Sequence, residues 1–163
     1  RLCAEFGMTV IGVDPRLEQA LKGVAELVRP DHLASVLPRA DFVIVTVPET
    51  PETQGMFAAA QFKAMKNTAF FINIGRGATV ELDDLVDALR AGEIAGAGLD
   101  VFQEEPLPAT HPLWIIPGVL ITPHVAGEGP YLQERRTELF IDNCVRFNEG
   151  RQLRNVVDKA NWF

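Results

Sequence analysis

Residues 65–108 read MKNTAFFINIGRGATVELDDLVDALRAGEIAGAGLDVFQEEPLP, and this stretch predicts a strand, a helix and a second strand in succession. Residues 69–74 form a short apolar run of the kind found in buried strands. The helix predicted over residues 81–91 carries its apolar residues on one face: Leu82, Leu85, Val86 and Leu89. Gly92 ends that helix, and residues 94–101 predict the next strand. A strand–helix–strand unit of this kind has its two strands parallel.

The same alternation continues on both sides of this unit. Upstream we predict the last turns of a helix over residues 1–7, a strand over 8–13, a helix over 17–28 interrupted near Gly23, a brief strand at 28–29, a short helix over 32–37, a strand over 42–47 and a helix over 62–65. Downstream we predict a strand over 119–122 and a long amphipathic helix over 131–148. This alternation indicates an α/β fold, a Rossmann-type doubly wound parallel sheet.

The acidic balance of the chain argues against polyanionic partners. Its 163 residues carry 22 Asp and Glu against 15 Lys and Arg, a formal net charge of −7, so its surface repels nucleic acid and anionic membranes. No apolar run approaches the roughly 20 residues that span a bilayer, and residues 1–30 lack the pattern of a signal peptide. Cys3 and Cys144 form no CxxC pair and no metal-ligand set, which predicts a cytoplasmic protein without a bound metal.

Ligands of parallel sheets bind beyond the carboxyl ends of the strands, so the residues after each predicted strand are candidates for the site. They are Asp14, Pro48, residues 75–77, residues 100–106 and residues 123–124. Asp14 stands where dinucleotide folds place the acid that binds the adenosine ribose, which favours NAD over NADP because it repels a 2′-phosphate. The alternative is an Asp that starts a turn before Pro15, and Arg16 lies close enough to complicate the cofactor preference.

The glycine fingerprint that holds the pyrophosphate precedes this acid by about 20 residues, and that position falls before Arg1. We therefore expect a partial NAD-binding domain over residues 1–163, with residues 150–163 as a C-terminal tail. The first strand and the glycine loop are expected to be absent from the chain, and the family resemblance given below implies the same for most of a substrate-binding domain. We further expect an open strand edge and no turnover by the chain alone.

Three polar groups follow three successive strands. Arg76 lies between two glycines, where its guanidinium suits a carboxylate, although an exposed Arg in a glycine turn has the same pattern. Glu104 and Glu105 follow the next strand in what is most simply a solvated loop, and His124 follows the strand after it. A carboxylate beside a His stabilises the imidazolium form, so this pair is a candidate acid–base pair. The other two histidines follow no predicted strand, and capping or core roles are assigned to them.

Five stretches resemble the D-isomer-specific 2-hydroxyacid dehydrogenase family: residues 65–108 quoted above, FGMTVIGVDP (6–15), TVPETPETQGMF (46–57), HPLWIIPGVLITPHVAG (111–127) and NVVDK (155–159). The resemblance implies an oxidoreductase that transfers a hydride between NAD(H) and a small D-2-hydroxy or 2-oxo acid. It implies that Arg76 binds the substrate carboxylate and that His124 exchanges the proton. Glu105, rather than Glu104, would orient His124 and keep it protonated. A formate-type member would pair the His with Gln, so Glu105 argues against that type.

The resemblance also implies a set of NAD-binding positions along the strand ends. They are Asp14, Val47, Pro48, Thr53, Ile74, Gly75, Arg76, Asp100, His124 and Gly127. Among them, Asp100 would contact the carboxamide of the cofactor. The chain departs from the family pattern at Glu49, which adds negative charge near the cofactor groove, and at residues 128–130. Family members are usually homodimers, which the resemblance extends to this chain.

Two other functions fit the same residues. Phosphite-type dehydrogenases share the Arg, Glu and His, and dinucleotide-sensing transcriptional corepressors with this fold can retain all three. For an enzyme, the expected partner is a small anionic 2-hydroxy or 2-oxo acid. The loops that choose the substrate belong to the other domain, so lactate, glycerate, glyoxylate, phosphoglycerate and branched oxo acids stay open.

Overall fold

The computed structural model describes residues 1–159, which form short helices and parallel strands. The helices are α1 (Leu2–Glu5), α2 (Leu33–Val36), α3 (Ala59–Ala64), α4 (Leu82–Ala91) and α5 (Leu132–Asn148). The strands are β1 (Ile11–Val13), β2 (Glu26–Val28), β3 (Phe42–Val45), β4 (Phe70–Asn73), β5 (Gly96–Leu99) and β6 (Val119–Ile121). The last four residues of the expected C-terminal tail, 160–163, lie outside the described residues.

The strands form two parallel sheets. β1 pairs with β2 in a two-stranded sheet, in which Val13 is opposite Val28. The second sheet has the order β3-β4-β5-β6, and one row across it joins Ile44, Ile72, Gly98 and Leu120. The parallel pairing confirms the predicted α/β, Rossmann-like fold. No described strand joins the two sheets, so β1 and β3 each present an open edge.

One face of the four-stranded sheet carries the hydrophobic core. Phe71 on β4 packs edge-on against Phe62 of α3, with ring centroids 5.2 Å apart, and against Phe57 at 5.0 Å. Leu85 and Val86 of α4 are buried in the same cluster. The apolar face predicted for this helix is therefore confirmed, and its end at Gly92 is confirmed by a left-handed φ of 68°.

The opposite face of this sheet remains exposed over the described residues. Phe42 and Phe70 stack with centroids 5.8 Å apart, and both are at least 40% exposed. Ile44 and Leu120 extend the same exposed face. Helices thus cover one face of this parallel sheet within residues 1–159, whereas parallel sheets are normally covered on both faces.

The helix predicted over residues 17–28 is wrong. Residues 17–25 form bends and turns, and β2 begins at Glu26. Gly23 has a φ of 89°, which interrupts a right-handed helix. Val24 and Leu27 pack beside Gly12, so the segment is used to pair with β1. Tertiary pairing has overridden the local helical pattern, as it often does for short segments.

Candidate active site

A turn built by Asn73 follows β4. This amide is 1% exposed, and its nitrogen donates to the Arg76 carbonyl at 3.1 Å and to the Thr79 hydroxyl at 3.3 Å. Its oxygen accepts the N–H of Gly75 at 3.0 Å. The Thr79 hydroxyl donates to the same Arg76 carbonyl at 2.7 Å. Buried side-chain bonds therefore hold the backbone of Arg76 in place, while its guanidinium is left at the surface.

The two glycines around Arg76 are required by close packing. A Cβ on Gly75 would come within 2.8 Å of the Val47 carbonyl, and a Cβ on Gly77 would overlap the backbone of Phe102. The Arg76 side chain is exposed, and its Nη1 donates to the Gly75 carbonyl at 2.7 Å. Its remaining N–H groups can meet a ligand carboxylate from solvent, in the two-point geometry that guanidinium provides.

His124 and Glu105 contact each other across the ends of β5 and β6. His124 Nδ1 donates to Glu105 Oε2 at 2.8 Å, because an ionised carboxylate only accepts. The other carboxylate oxygen accepts the Phe102 N–H at 2.9 Å. The hydrogen bond from His124, and next the one from Phe102, hold the pKa of Glu105 below its ordinary value. The carboxylate is thus ionised near neutral pH, and the imidazole Nε2 is the nitrogen left for a substrate.

Asp100, the residue after β5, organises the loop that carries His124. Its carboxylate is buried and accepts from the Thr122 hydroxyl at 2.5 Å, the Val125 N–H at 2.9 Å and the Ala126 N–H at 2.8 Å. Burial alone would raise the pKa of Asp100, but the three hydrogen bonds and the nearby His124 outweigh it and lower that pKa. The carbonyl of Asp100 also accepts the His124 N–H at 2.9 Å.

The backbone of His124 is held in an unusual conformation. Its φ is 55°, in the left-handed region that costs a residue with a side chain roughly 1–2 kcal/mol. The bonds from Asp100 to residues 122–126 span this position on both sides. Such strain persists where surrounding structure holds it, and it concentrates at functional sites. Asp100 therefore helps to hold His124 in position beside Glu105, and its negative charge also acts on this pair.

Asp14 lies at the end of β1, on the two-stranded sheet. Its Oδ1 accepts the N–H of Arg16 at 2.7 Å and the N–H of Leu17 at 3.1 Å, which is the turn geometry of an Asp before a proline. The other carboxylate oxygen, Oδ2, takes no part in this turn. The turn role of Asp14 is therefore confirmed, and its ribose-binding role stays a prediction.

The remaining predicted positions divide into backbone supports and exposed surface. The Thr53 hydroxyl donates to the Pro48 carbonyl at 2.8 Å and accepts the Thr50 N–H at 2.8 Å, so it stabilises the loop of residues 48–53. Val47 borders Gly75 through its carbonyl. Ile74 is 44% exposed beside Arg76, and Gly127 has open space around it.

The structure brings Asp100, Glu105 and His124 into one network. Arg76 is at the neighbouring strand end, and no described residue forms an ion pair with it. The sequence reasoning missed Asn73, Thr79 and Thr122, which build the supports. A polar residue that closes an apolar strand, as Asn73 does, was the signal that could have found the first of them.

The described chain offers neither a metal site nor a membrane span. No three of the metal-ligating side chains in residues 1–159 gather closely enough to hold an ion. Over the same residues, every helix is too short or too polar to cross a bilayer.

Comparison with known proteins gives one consistent family. Residues 1–126 match the family model described as D-isomer specific 2-hydroxyacid dehydrogenase, NAD binding domain. The chain is 41% identical over 126 residues to glyoxylate/hydroxypyruvate reductase B of Citrobacter koseri, covering 77% of this chain. It is 46% identical over 142 residues to the human glyoxylate reductase/hydroxypyruvate reductase, covering 87% of this chain.

A solved structure extends the similarity to three dimensions. A D-isomer specific 2-hydroxyacid dehydrogenase from Xanthobacter autotrophicus Py2, in complex with NADPH and MES, superposes with a TM-score of 0.88 at 36% identity. The match covers 98% of this chain and 65% of that one. The chain spans 39% and 42% of the length of the two curated relatives above, less than half in each case.

Proposed function

The chain belongs to the D-isomer specific 2-hydroxyacid dehydrogenase family, and from that premise we propose that it is the dinucleotide-binding part of an NAD(P)-dependent oxidoreductase. The reaction is hydride transfer between the nicotinamide and C2 of a small 2-hydroxy or 2-oxo acid. The observation that carries the proposal is the 2.8 Å hydrogen bond between His124 and Glu105 at adjoining strand ends. This pair supplies the proton exchange that accompanies reduction of a carbonyl.

His124 is the proposed acid and base. Because Nδ1 is bound to Glu105, the proton exchanged with the substrate oxygen is the one on Nε2. In the reductive direction Nε2 donates to the carbonyl oxygen, and in the oxidative direction it accepts the hydroxyl proton. Glu105 remains ionised throughout, since its own pKa is lowered by that hydrogen bond, and its charge stabilises the imidazolium.

Arg76 is the proposed anchor for the substrate carboxylate. Its guanidinium is exposed while the Asn73 amide and the Thr79 hydroxyl hold its backbone. A fixed cation at this point neutralises the anionic substrate and polarises its carbonyl towards hydride attack. Binding of a carboxylate here leaves the reacting carbon one bond away, which is the positioning that a 2-oxo acid requires.

The residues at the strand ends fit a dinucleotide in their chemistry. Asp14 has an oxygen for ribose hydroxyls, and Val47, Pro48, Thr53, Ile74, Gly75, Asp100 and Gly127 are the other proposed neighbours of the cofactor. The bound nicotinamide supplies the hydride chemistry, and the protein supplies position and charge. We propose NAD as the preferred cofactor on account of Asp14. Residues 1–163 contain no G-x-G-x-x-G sequence, the usual pyrophosphate-binding turn.

The names of the curated relatives suggest the substrates to test first. We propose glyoxylate and hydroxypyruvate, because two relatives above 40% identity carry these acids in their names. A homodimer and a cytoplasmic location are proposed on the family resemblance. Light scattering of the full-length protein would test the dimer.

The test is oxidation of NADH and NADPH by the full-length protein with glyoxylate, hydroxypyruvate, pyruvate and a branched 2-oxo acid. We expect His124→Gln to lower kcat by roughly 100-fold or more. His32→Gln is the matched control, because His32 is an exposed imidazole that belongs neither to the His124–Glu105 pair nor to the proposed NAD-binding positions. A wild-type kcat in His124→Gln would remove His124 from the proposed role.

Two further arms of the experiment separate the alternatives. Binding of NADH without turnover of any 2-oxo acid would favour a dinucleotide-sensing protein over an enzyme. Phosphite-dependent reduction of NAD would favour the phosphite-type reaction. Residues 1–163 expressed alone are expected not to turn over substrate, and a measurable kcat from them would contradict the proposed need for further chain.

A further inference from the structure

The hydroxyl of Thr79 is buried beneath the turn that carries Arg76. The Thr79 side chain is 0% exposed. Its Oγ1 donates to the Arg76 carbonyl at 2.7 Å and accepts from Asn73 Nδ2 at 3.3 Å. A valine would fill nearly the same volume and make neither bond. The hydroxyl at this position is therefore used for hydrogen bonding to the Arg76 turn, and packing alone does not require it.

Asn73 connects this turn to the loop of His124. Its Oδ1 accepts the Gly75 N–H at 3.0 Å, and its main-chain carbonyl accepts the Asp100 N–H at 3.0 Å. Asp100 is the residue whose carboxylate and carbonyl hold the backbone around His124. Hydrogen bonds therefore run without interruption from Thr79 through Asn73 and Asp100 to the segment that carries the proposed acid and base.

The outer side of the same turn contacts the loop of Glu105. Gly77 packs so closely on the Phe102 backbone that a Cβ would overlap it. The N–H of Phe102 donates to Glu105 Oε1 at 2.9 Å. The turn is thus fixed by buried hydrogen bonds on one side and by Phe102 on the other. Arg76, the residue before Gly77, has its backbone set relative to both members of the His124–Glu105 pair.

The separation between Arg76 and His124 matters because of the shape of a 2-oxo acid. Its carboxylate and its carbonyl are on adjacent carbons, so the anchor and the proton donor must stand at one fixed separation. The guanidinium of Arg76 is at the end of a long exposed side chain, and its backbone is the part that the turn fixes. A looser turn makes the guanidinium lose more conformational freedom on binding, which weakens the affinity for a carboxylate.

We propose that Thr79 is a positioning residue for substrate binding. Its hydroxyl, together with Asn73, keeps Arg76 at the separation from the His124–Glu105 pair that a 2-oxo acid spans. This inference rests on the proposed function and adds to it a determinant of substrate affinity that acts through Arg76.

The test compares Thr79→Val with Thr79→Ser in the full-length protein. Kinetics use the 2-oxo acid of the panel above that the wild type reduces best. Calorimetry in the presence of NADH measures the Kd of oxamate, which has a carboxylate but no reducible keto group. We expect Thr79→Val to raise KM and the oxamate Kd about fivefold, the effect of one lost hydrogen bond, and to leave kcat within about twofold of wild type.

Thr79→Ser keeps the hydroxyl and removes only a buried methyl group. It should retain the wild-type KM and oxamate Kd, although the small cavity should lower its stability to urea. Substrate affinity should therefore follow the hydroxyl and not the stability of the fold. A merely structural role of Thr79 predicts that the less stable variant is also the weaker binder.

Thr122→Val provides the matched comparison on the other side of the site. It removes the hydroxyl that donates to Asp100 at 2.5 Å, and so it acts on the loop of His124. We expect this variant to lower kcat with a smaller change in KM, the opposite pattern to Thr79→Val.

The outcomes separate this inference from the proposed function. The role of the Thr79 hydroxyl is overturned if Thr79→Val keeps KM and the oxamate Kd within about twofold of wild type, or if Thr79→Ser loses as much affinity as Thr79→Val. Either result leaves the proposed function in place. If the wild-type protein reduces no 2-oxo acid and binds no oxamate, the proposed function itself is overturned and this inference with it.

Discussion

Replacing Asp100 with Asn should loosen the loop that carries His124. An Asn at this site keeps one carbonyl oxygen for the Thr122 hydroxyl and the Val125 N–H, but turns its NH₂ towards the Ala126 N–H. A hydrogen bond to a charged acceptor contributes roughly 1.5–3 kcal/mol, and a buried donor without an acceptor costs roughly 1–3 kcal/mol. We therefore expect the free energy of unfolding to fall by about 3 kcal/mol.

The same substitution should reduce catalysis. Without the carboxylate, the left-handed backbone of His124 loses the bonds that hold it, and the 2.8 Å contact with Glu105 lengthens or breaks. Because the change affects the positioned acid rather than the substrate anchor, kcat should fall about tenfold or more, with a smaller change in KM.

The assays are urea denaturation and steady-state kinetics of the full-length protein. Asp87→Asn, the same chemical change on an exposed position of α4, is the control and should shift neither quantity. The reasoning is refuted if Asp100→Asn unfolds within about 0.5 kcal/mol of wild type and keeps kcat within about twofold.

Acid titration gives a second readout for Asp100. Its pKa in the folded state is below the ordinary 3.8. A group with a lowered folded pKa contributes stability that is complete above the unfolded pKa and is lost as the pH falls through the folded pKa. The wild-type protein should therefore lose this contribution below about pH 4, and Asp100→Asn should lack that part of the acid dependence.

Two further substitutions test the other contacts of the site. Glu105→Gln should lower kcat by about 100-fold. The control Glu104→Gln removes the same charge one residue earlier and should leave kcat nearly unchanged. Equal losses of kcat in the two variants would contradict the role of the Glu105–His124 contact. Because the pKa of Glu105 is lowered from 4.5, the folding stability that this pair contributes should be complete above that pH and should be lost as the pH falls through the folded pKa. Nuclear magnetic resonance of His124 can follow this loss. Gly77→Ala should destabilise the fold by about 3 kcal/mol, as its Cβ overlaps the Phe102 backbone. Gly92→Ala has open space and a φ of 68°, so it should cost only about 1 kcal/mol in urea denaturation, and similar losses for the two would refute the packing argument.

The elements that the sequence predicted well are those whose pattern is local. The apolar runs that became β3 and β4 and the one-faced helix α4 need no knowledge of their neighbours. The helix predicted over residues 17–28 was wrong because the local helical pattern is weaker than the pairing of this segment with β1. That pairing depends on a segment elsewhere in the chain.

The sequence predicted the reactive groups of the candidate site better than the residues that hold those groups in place. Strand-end positions paired His124 with an acid of the loop that contains Glu104 and Glu105, because parallel strands end at the same edge, and the family resemblance selected Glu105. The contacts of Asp100 and Thr53 could not be predicted in this way, since both side chains bond to backbone groups that only the folded loops bring near. The family resemblance assigns Asp100 and Thr53 to ligand binding, whereas the structure shows that their side chains also hold loops of the protein in place.

Within residues 1–159, the two ends of the proposed site rest on sheets of unequal size. β4 and β5 are hydrogen-bonded on both sides, so their amides should exchange with deuterated solvent most slowly. β1 and β2 form a pair of three residues each, a size that is marginal by itself. In residues 1–163 expressed alone, we therefore expect the pair of strands that carries Asp14, the proposed adenosine end, to open before the four-stranded sheet.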